Sequence, residues 1–238
     1  MAEEQTTFKR IEKKYLITDS QYEQLMEAIL LKTNPDCHKR CTIFNIYFDT
    51  PNHLLIRRSL DKPVYKEKLR LRSYGMPHDK SPVFVEIKKK YKNVVYKRRA
   101  EMNYEEALSF LQTNKIPQDC DQQILREISW FLNLYKNLSP AMLITYDRAA
   151  YDAKENRDLR ITFDANIRWQ NVYVAAKADY RGSPLLQEGQ RIMEIKIPNA
   201  MPLWLAELLA QLKIYPVSFS KYGAAYYENL TKGEINYA

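Results

Sequence analysis

Read with a strand's period of two, the stretch Lys66-Glu67-Lys68-Leu69-Arg70-Leu71-Arg72 puts a cation at every position of one face and turns apolar on the other. At about 3.3 Å per residue this row of charge is roughly 20 Å long, the length of a short run of linked phosphates. The same parity recurs elsewhere, each time with an acid and a base two residues apart. Arg10, Glu12 and Lys14 share one face of Arg10–Tyr15, Glu86 and Lys88 oppose Val83, Val85 and Ile87, and Glu194 and Lys196 repeat that arrangement beside Met193, Ile195 and Ile197. One such segment is explained by an amphipathic strand with a solvated charged face. The recurrence at fixed spacing specifies both faces, as a closed barrel with a charged lumen and an apolar exterior requires.

Composition narrows the partner. The chain has 238 residues, a net charge of +8 and a pI near 9.2, which points to an anion: nucleic acid, an anionic membrane or a phosphorylated small molecule. Closed β architectures of this length are commonly single domains, so one domain over residues 1–238 is expected. Three cysteines, Cys37, Cys41 and Cys120, without CxxC pairing indicate neither a disulfide framework nor a zinc site. Neither a signal peptide nor an apolar membrane span is legible, so a cytoplasmic location in a reducing compartment is expected. None of the five glycines builds a phosphate-cradling loop, so any triphosphate must be held by side chains. His38, His53 and His78 sit in apparent turns and offer no triad.

Along the chain, strands are predicted over Phe8–Ile17, Thr42–Asp49, Val64–Tyr74, Val83–Lys90, Val94–Met102, Leu143–Tyr151, Asp158–Asp164 and Ile192–Ile197. Helices are predicted over Gln21–Lys32, behind the capping signal Thr18-Asp19-Ser20, and over Tyr104–Asn114, Gln122–Asn137 and Pro202–Leu212. Leu54–Ser59 reads as a turn or short helical piece, and Ser218–Tyr222 as a compact polar stretch. The fold class is α+β, an antiparallel β-barrel tunnel with helices packed outside.

Nine short segments, in this order, carry a resemblance: Arg10–Tyr15, Tyr47-Phe48-Asp49-Thr50, Leu69-Arg70-Leu71-Arg72, Val85-Glu86-Ile87-Lys88, Lys97-Arg98-Arg99, Tyr146-Asp147-Arg148, Leu159–Asp164, Glu194-Ile195-Lys196 and Ser220-Lys221-Tyr222. The set resembles the polyphosphate polymerase domain of the vacuolar transporter chaperone (VTC) complex, part of the triphosphate tunnel metalloenzyme superfamily. The superfamily's first-strand pattern is Glu-x-Glu-x-Lys. Arg10 replaces the first Glu here, which removes a metal-binding carboxylate, adds a phosphate-binding cation and resembles the polymerase branch.

The resemblance implies that Lys14, Arg70, Arg72, Lys88, Arg148, Arg160 and Lys196 act on the transferring phosphates. It implies that Arg10, Lys68, Lys97, Arg99, Ser220 and Lys221 bind the substrate chain, and that Glu194, with Glu12 and Glu86, holds Mn²⁺ or Mg²⁺. The implied reaction moves the γ-phosphoryl group of ATP onto growing inorganic polyphosphate and releases ADP. Arginine suits bidentate phosphate contacts, lysine acts as a point charge, and a hard cation on carboxylates bridges phosphate oxygens. Any membrane coupling would need a separate partner. Three alternatives are an inorganic or nucleoside triphosphatase with water as acceptor, a noncatalytic polyphosphate-binding module, and a nucleic-acid binder using stacked tyrosines. The last is not expected, because the tyrosines fall in packing contexts.

Overall fold

A computed structural model describes residues 11–92, 94–118, 121–154, 158–172, 182–198 and 200–231, with backbone only for 37–39. Arg10, Cys120 and the side chains of Cys37 and His38 lie outside the described residues. Strands β1 (Ile11–Thr18), β2 (Thr33–Asp49), β3 (Tyr65–Tyr74), β4 (Pro82–Tyr91), β5 (Val94–Asn103), β6 (Ser139–Ala153), β7 (Arg160–Asn171), β8 (Ser183–Pro184), β9 (Gln190–Ile197) and β10 (Pro216–Val217) form one sheet. Every pairing is antiparallel, in the order β10-β1-β9-β7-β6-β2-β3-β4-β5, with β8 beside β7. Helices α1 (Asp19–Lys32), α2 (Leu54–Leu60), α3 (Tyr104–Thr113), α4 (Gln122–Leu134), α5 (Leu203–Gln211) and α6 (Lys221–Thr231) complete it.

The sheet curls on itself. Strands β1 and β4 stand six steps apart in the strand order, which would separate them by about 29 Å in a flat sheet. Yet Lys88 Nζ of β4 lies 3.7 Å from Glu12 Oε2 of β1, so their shared face is the concave one. The expected closed barrel is corrected in one respect: β5 and β10 end the order without pairing to each other among the described residues, so the tunnel is an open curl. The edges explain this. β10 has two residues, one of them a proline without an N–H, and β5 carries Lys97, Arg98, Arg99 and Glu101.

Convex faces pack under helices. Tyr15, Ile17, Tyr151, Ile161, Phe163, Met193 and Ile195 meet Leu25 and Ile29 of α1 and Leu205 and Leu209 of α5. Leu69, Leu71, Val83, Val85, Ile87 and Met102 meet Phe110 of α3 and Leu125, Ile128 and Phe131 of α4. These are the apolar residues whose period-two spacing is legible in sequence. Thr18 caps α1 as expected, with a reciprocal box: Gln21 N donates to Thr18 Oγ1 at 3.2 Å and Thr18 N to Gln21 Oε1 at 3.1 Å.

Several boundaries differ from expectation, β6 beginning at Ser139 before the expected Leu143 and α4 ending at Leu134 before the expected Asn137 among them. β2 begins at Thr33 because its polar first half pairs with Tyr151–Ala153 of β6 across a bulge between Pro35 and Arg40. β7 runs on to Asn171 through an irregularity beside Thr145–Asp147 that contains Asn166 at φ 51°. The stretch at Ser218–Tyr222 opens helix α6, capped by Ser220, whose Oγ accepts from Gly223 N at 3.2 Å. Helix α6 lies on the concave face, with Tyr222, Ala225 and Tyr226 against Ile43, Tyr47, Ile144, Tyr146 and Ile192. Its buried side is tyrosine and alanine rather than leucine, which weakens the helical signal. A Cβ on Gly223 would stand 3.0 Å from Leu60 Cδ2, so glycine here permits the close approach of α2 and α6.

Candidate functional site

The concave face has two walls. On the β3–β4–β5 wall, register places Lys68, Lys88 and Lys97 in one cross-strand row and Arg70, Glu86 and Arg99 in the next. Like charges directly opposite one another are destabilising, so the lysine row works against the fold in the absence of an anion. Burial pushes Lys68 down to about 8, with Lys66, Lys88 and Lys14 adding to the effect. Burial likewise takes Lys97 to about 8 despite Glu86, and lowers Lys88 despite Glu12 and Glu194. Lys68 Nζ donates to Ser220 Oγ at 3.3 Å, so this hydroxyl both caps α6 and faces the tunnel.

Glu86 differs from its expected place as a metal ligand. Its Oε2 accepts from Arg70 Nε at 2.7 Å and meets Arg70 Nη2 at 2.6 Å, its Oε1 lies 2.7 Å from Lys97 Nζ, and Arg72 Nε is 3.9 Å away. Burial works to raise its pKa, but Arg70, Arg72 and Lys97 outweigh that and hold the carboxyl well below its usual range. Oε2 accepts a hydrogen bond and Oε1 faces an ammonium group as an ion pair without hydrogen-bond geometry, so the residue is the buried counter-ion of three tunnel cations. Arg72 is aimed by Asn45 Oδ1 at 2.9 Å and by the Tyr146 hydroxyl at 3.3 Å, and Arg70 donates to the Tyr47 hydroxyl at 3.3 Å. Arg99 is exposed, with its Cζ 4.9 Å from the Phe84 ring centre.

On the β1–β9–β7–β6 wall acids and bases alternate in pairs. Glu12 lies opposite Lys196 and Lys14 opposite Glu194. Lys196 Nζ is 2.9 Å from Glu194 Oε1, while Lys14 Nζ sits 4.0 Å from Glu194 Oε2 and 3.6 Å from Glu12 Oε1 and donates to the Phe219 carbonyl at 3.0 Å. Burial tends to raise the Glu194 pKa, but Lys196, Lys14 and Arg148 hold it well below the carboxylate range. Deeper along β7, Asp164 accepts from Arg148 Nε at 2.6 Å and Nη2 at 2.7 Å, and from Lys221 Nζ at 2.5 Å. Arg148 and Lys221 both stand over the Tyr146 ring, at 5.2 and 4.6 Å from its centre. Arg160 turns to carboxylates of its own, Asp152 at 3.1 Å and Asp36.

The structure thus brings Lys14, Lys68, Arg70, Arg72, Lys88, Lys97, Arg148, Lys196 and Lys221 to one concave surface with Glu12, Glu86, Asp164 and Glu194. Cations outnumber carboxylates, as binding of a multiply charged anion requires. Among the described residues no group of three or more His, Cys, Asp or Glu converges on one point. Glu12 and Glu194 flank Lys14 on adjacent strands, and two carboxylates are what a divalent cation sharing phosphate ligands takes from protein. Two residues that hold the site together, Asp164 and Asp49, lie in the segments that carry the resemblance but were not expected as site residues. Asp164 shares the strand parity of Arg160, a signal that was present. Asp49 accepts from Leu55 N at 2.8 Å, Ile56 N at 3.0 Å and the Tyr222 hydroxyl at 2.8 Å, tying α2 and α6 to β2, which no local pattern announces.

This architecture is shared with solved structures of low sequence identity. A candidate adenylate cyclase of Bacillus halodurans superposes with a TM-score of 0.56 at 14% identity, covering 90% of this chain and 95% of its own. A candidate adenylyl cyclase of Hippeastrum with a dominant triphosphatase activity gives 0.54 at 15% identity, covering 92% and 96%. At such identities the likeness is one of fold, the triphosphate tunnel fold. No curated protein matches the sequence. The profile of the VTC domain matches residues 9–228, nearly the whole chain, and the chain belongs to the VTC domain family.

Proposed function

We propose that the tunnel binds the triphosphate of ATP and an inorganic polyphosphate chain and transfers the γ-phosphoryl group from one to the other. The carrying observation is the row Lys68–Lys88–Lys97, three adjacent ammonium groups on a wall whose only buried carboxylate among these rows, Glu86, is already engaged. A terminal phosphate oxygen of the chain attacks the γ-phosphorus in line, the bond from that phosphorus to the β–γ bridging oxygen breaks, and ADP leaves with the electron pair. Phosphoryl transfer asks the protein mainly to position phosphates and neutralise charge moving to the leaving group. Arg70 and Arg72, held by Glu86, Asn45 and two tyrosines, are rigid donors for equatorial oxygens. Arg148 and Lys221, oriented by Asp164, serve the opposite wall.

Glu194 and Glu12 would hold a divalent cation, Mn²⁺ or Mg²⁺, which would supply charge neutralisation to the phosphates. Lys14 and Lys196, which pair with these carboxylates, would turn to phosphate. Arg99 and Arg160 stand as contributors to chain binding, and Arg10, outside the described residues, is kept as one from the sequence. The open edge between β5 and β10 favours a second reading, in which water enters as acceptor and the protein is a triphosphatase, the dominant activity of the Hippeastrum protein with this fold.

Incubating the protein with ATP and Mn²⁺, with and without a short polyphosphate primer, separates these readings. Chains resolved on a gel with matching ADP support the polymerase. Free phosphate without chains assigns the triphosphatase, and binding without turnover assigns a noncatalytic module. Among the described residues no helix is long and apolar enough to cross a membrane.

A further inference from the structure

One polar group on the tunnel wall has no task in the structure as it stands. Thr162 of β7 is 1% exposed, and its Oγ1 has no hydrogen-bond partner. Register places it directly opposite Glu194 on one side and Ala150 on the other, on the face it shares with Arg160 and Asp164. Opposed residues of an antiparallel pair hold their Cβ atoms about 5 Å apart, within reach for a hydroxyl and a carboxylate. A buried hydroxyl without a partner costs stability, and valine has the same shape and at least as strong a strand preference. Nothing in the packing of this wall selects threonine.

Glu194 Oε1 is held by Lys196 at 2.9 Å and its Oε2 faces Lys14 at 4.0 Å, so both oxygens depend on lysines that themselves line the tunnel. A phosphate chain competes for both ammonium groups, and the carboxylate is 7% exposed, with little water to replace them. We propose that Thr162 is a positioning residue, whose hydroxyl donates to Glu194 when phosphate draws Lys196 and Lys14 away and so fixes the carboxylate in its ligand-bound orientation. The inference rests on the reading of the tunnel as a polyphosphate site and adds a residue to it.

Thr162→Val and Thr162→Ser separate a binding role from a structural one. Melting without ligand and calorimetric titration with tripolyphosphate plus Mn²⁺ are measured for both variants and the wild-type protein. T162V is expected to melt at or above the wild-type temperature without ligand, since it removes a partnerless hydroxyl, and to bind about tenfold more weakly, the usual scale for a hydrogen bond to a charged group. T162S, which keeps the hydroxyl, restores wild-type affinity. Equal affinity in T162V and wild type overturns the inference alone, as does a lowered ligand-free melting temperature with affinity unchanged. Failure of the wild-type protein to bind tripolyphosphate overturns the tunnel reading and this inference with it.

Discussion

The two walls of the tunnel obey one parity rule and carry different charge. On β1, β9 and β7 each inward acid has an inward base beside it, Glu12 with Lys14, Glu194 with Lys196, and Asp164 with Arg148 and Lys221. On β3, β4 and β5 a single carboxylate, Glu86, serves Arg70, Arg72 and Lys97, so cations stand in excess there, with Lys88 reaching across to Glu12 and Lys68 to the Ser220 hydroxyl. The first wall is near balance and suits a cation shared with phosphate. On the proposed reading the second receives the anion, whose arrival relieves the repulsion among its lysines. On that reading the difference between the facing walls lets one cavity hold phosphate and metal together.

The largest expected effect lies on the cationic wall. Replacing Arg70 and Arg72 by alanine should weaken tripolyphosphate binding by roughly 100-fold or more, because buried charge-assisted contacts are lost and Glu86 is stranded. Calorimetry showing unchanged affinity would remove that wall from the binding site.

The two glutamates should next part company. Glu86→Gln breaks a buried ion cluster and should cost about 3 kcal/mol in denaturant melts. Glu194→Gln should leave the fold standing and abolish divalent-dependent turnover. A Glu86→Gln protein as stable as wild type would erase the distinction drawn between the walls, and full activity in Glu194→Gln would end its role with metal.

A smaller, pH-dependent effect follows from Lys68 and Lys97. Their folded-state pKa values of about 8 lie below the ordinary lysine value, so between pH 8 and about 10.5 the unfolded chain holds more protons and stability rises with pH. Phosphate favours the charged lysines, so binding near pH 8.5 should take up protons, measurable by titration in buffers of different ionisation enthalpy. Proton release instead would contradict the anion-receptor assignment. Smallest of all, Lys89→Met removes a convex-side pair to Glu127 at 2.6 Å and should change stability by less than about 1 kcal/mol. Any change in tripolyphosphate affinity would show that the outer face contributes to the site.

Strands β3, β4 and β9 were legible because both of their faces are specified and neither contains an interruption. β7 was legible only as far as Asp164 because the irregularity at Asn166 resets the alternation. Helix α6 was missed because the apolar cavity it fills is lined by tyrosines, and Tyr47 stacks on Tyr222 at 4.6 Å across elements distant in the chain. Among the site residues, the inward placement of Lys14, Lys88, Arg70 and Glu194 could be read from parity alone. The occupation of Glu86 could not, since its partners come from two neighbouring strands. The capture of Arg160 by Asp36 and Asp152 was hidden for the same reason.

The sequence by itself therefore determined which side chains face the tunnel, because strand alternation is a property of the local backbone. Which acid neutralises which base was left to register and curl. A shift of one residue between β3 and β4 would take Glu86 from its place opposite Arg70, and a flatter sheet would carry Glu12 about 29 Å from Lys88. Charge interactions at these distances depend on a few ångströms of placement and on the water excluded around them, and only the tertiary structure supplies both.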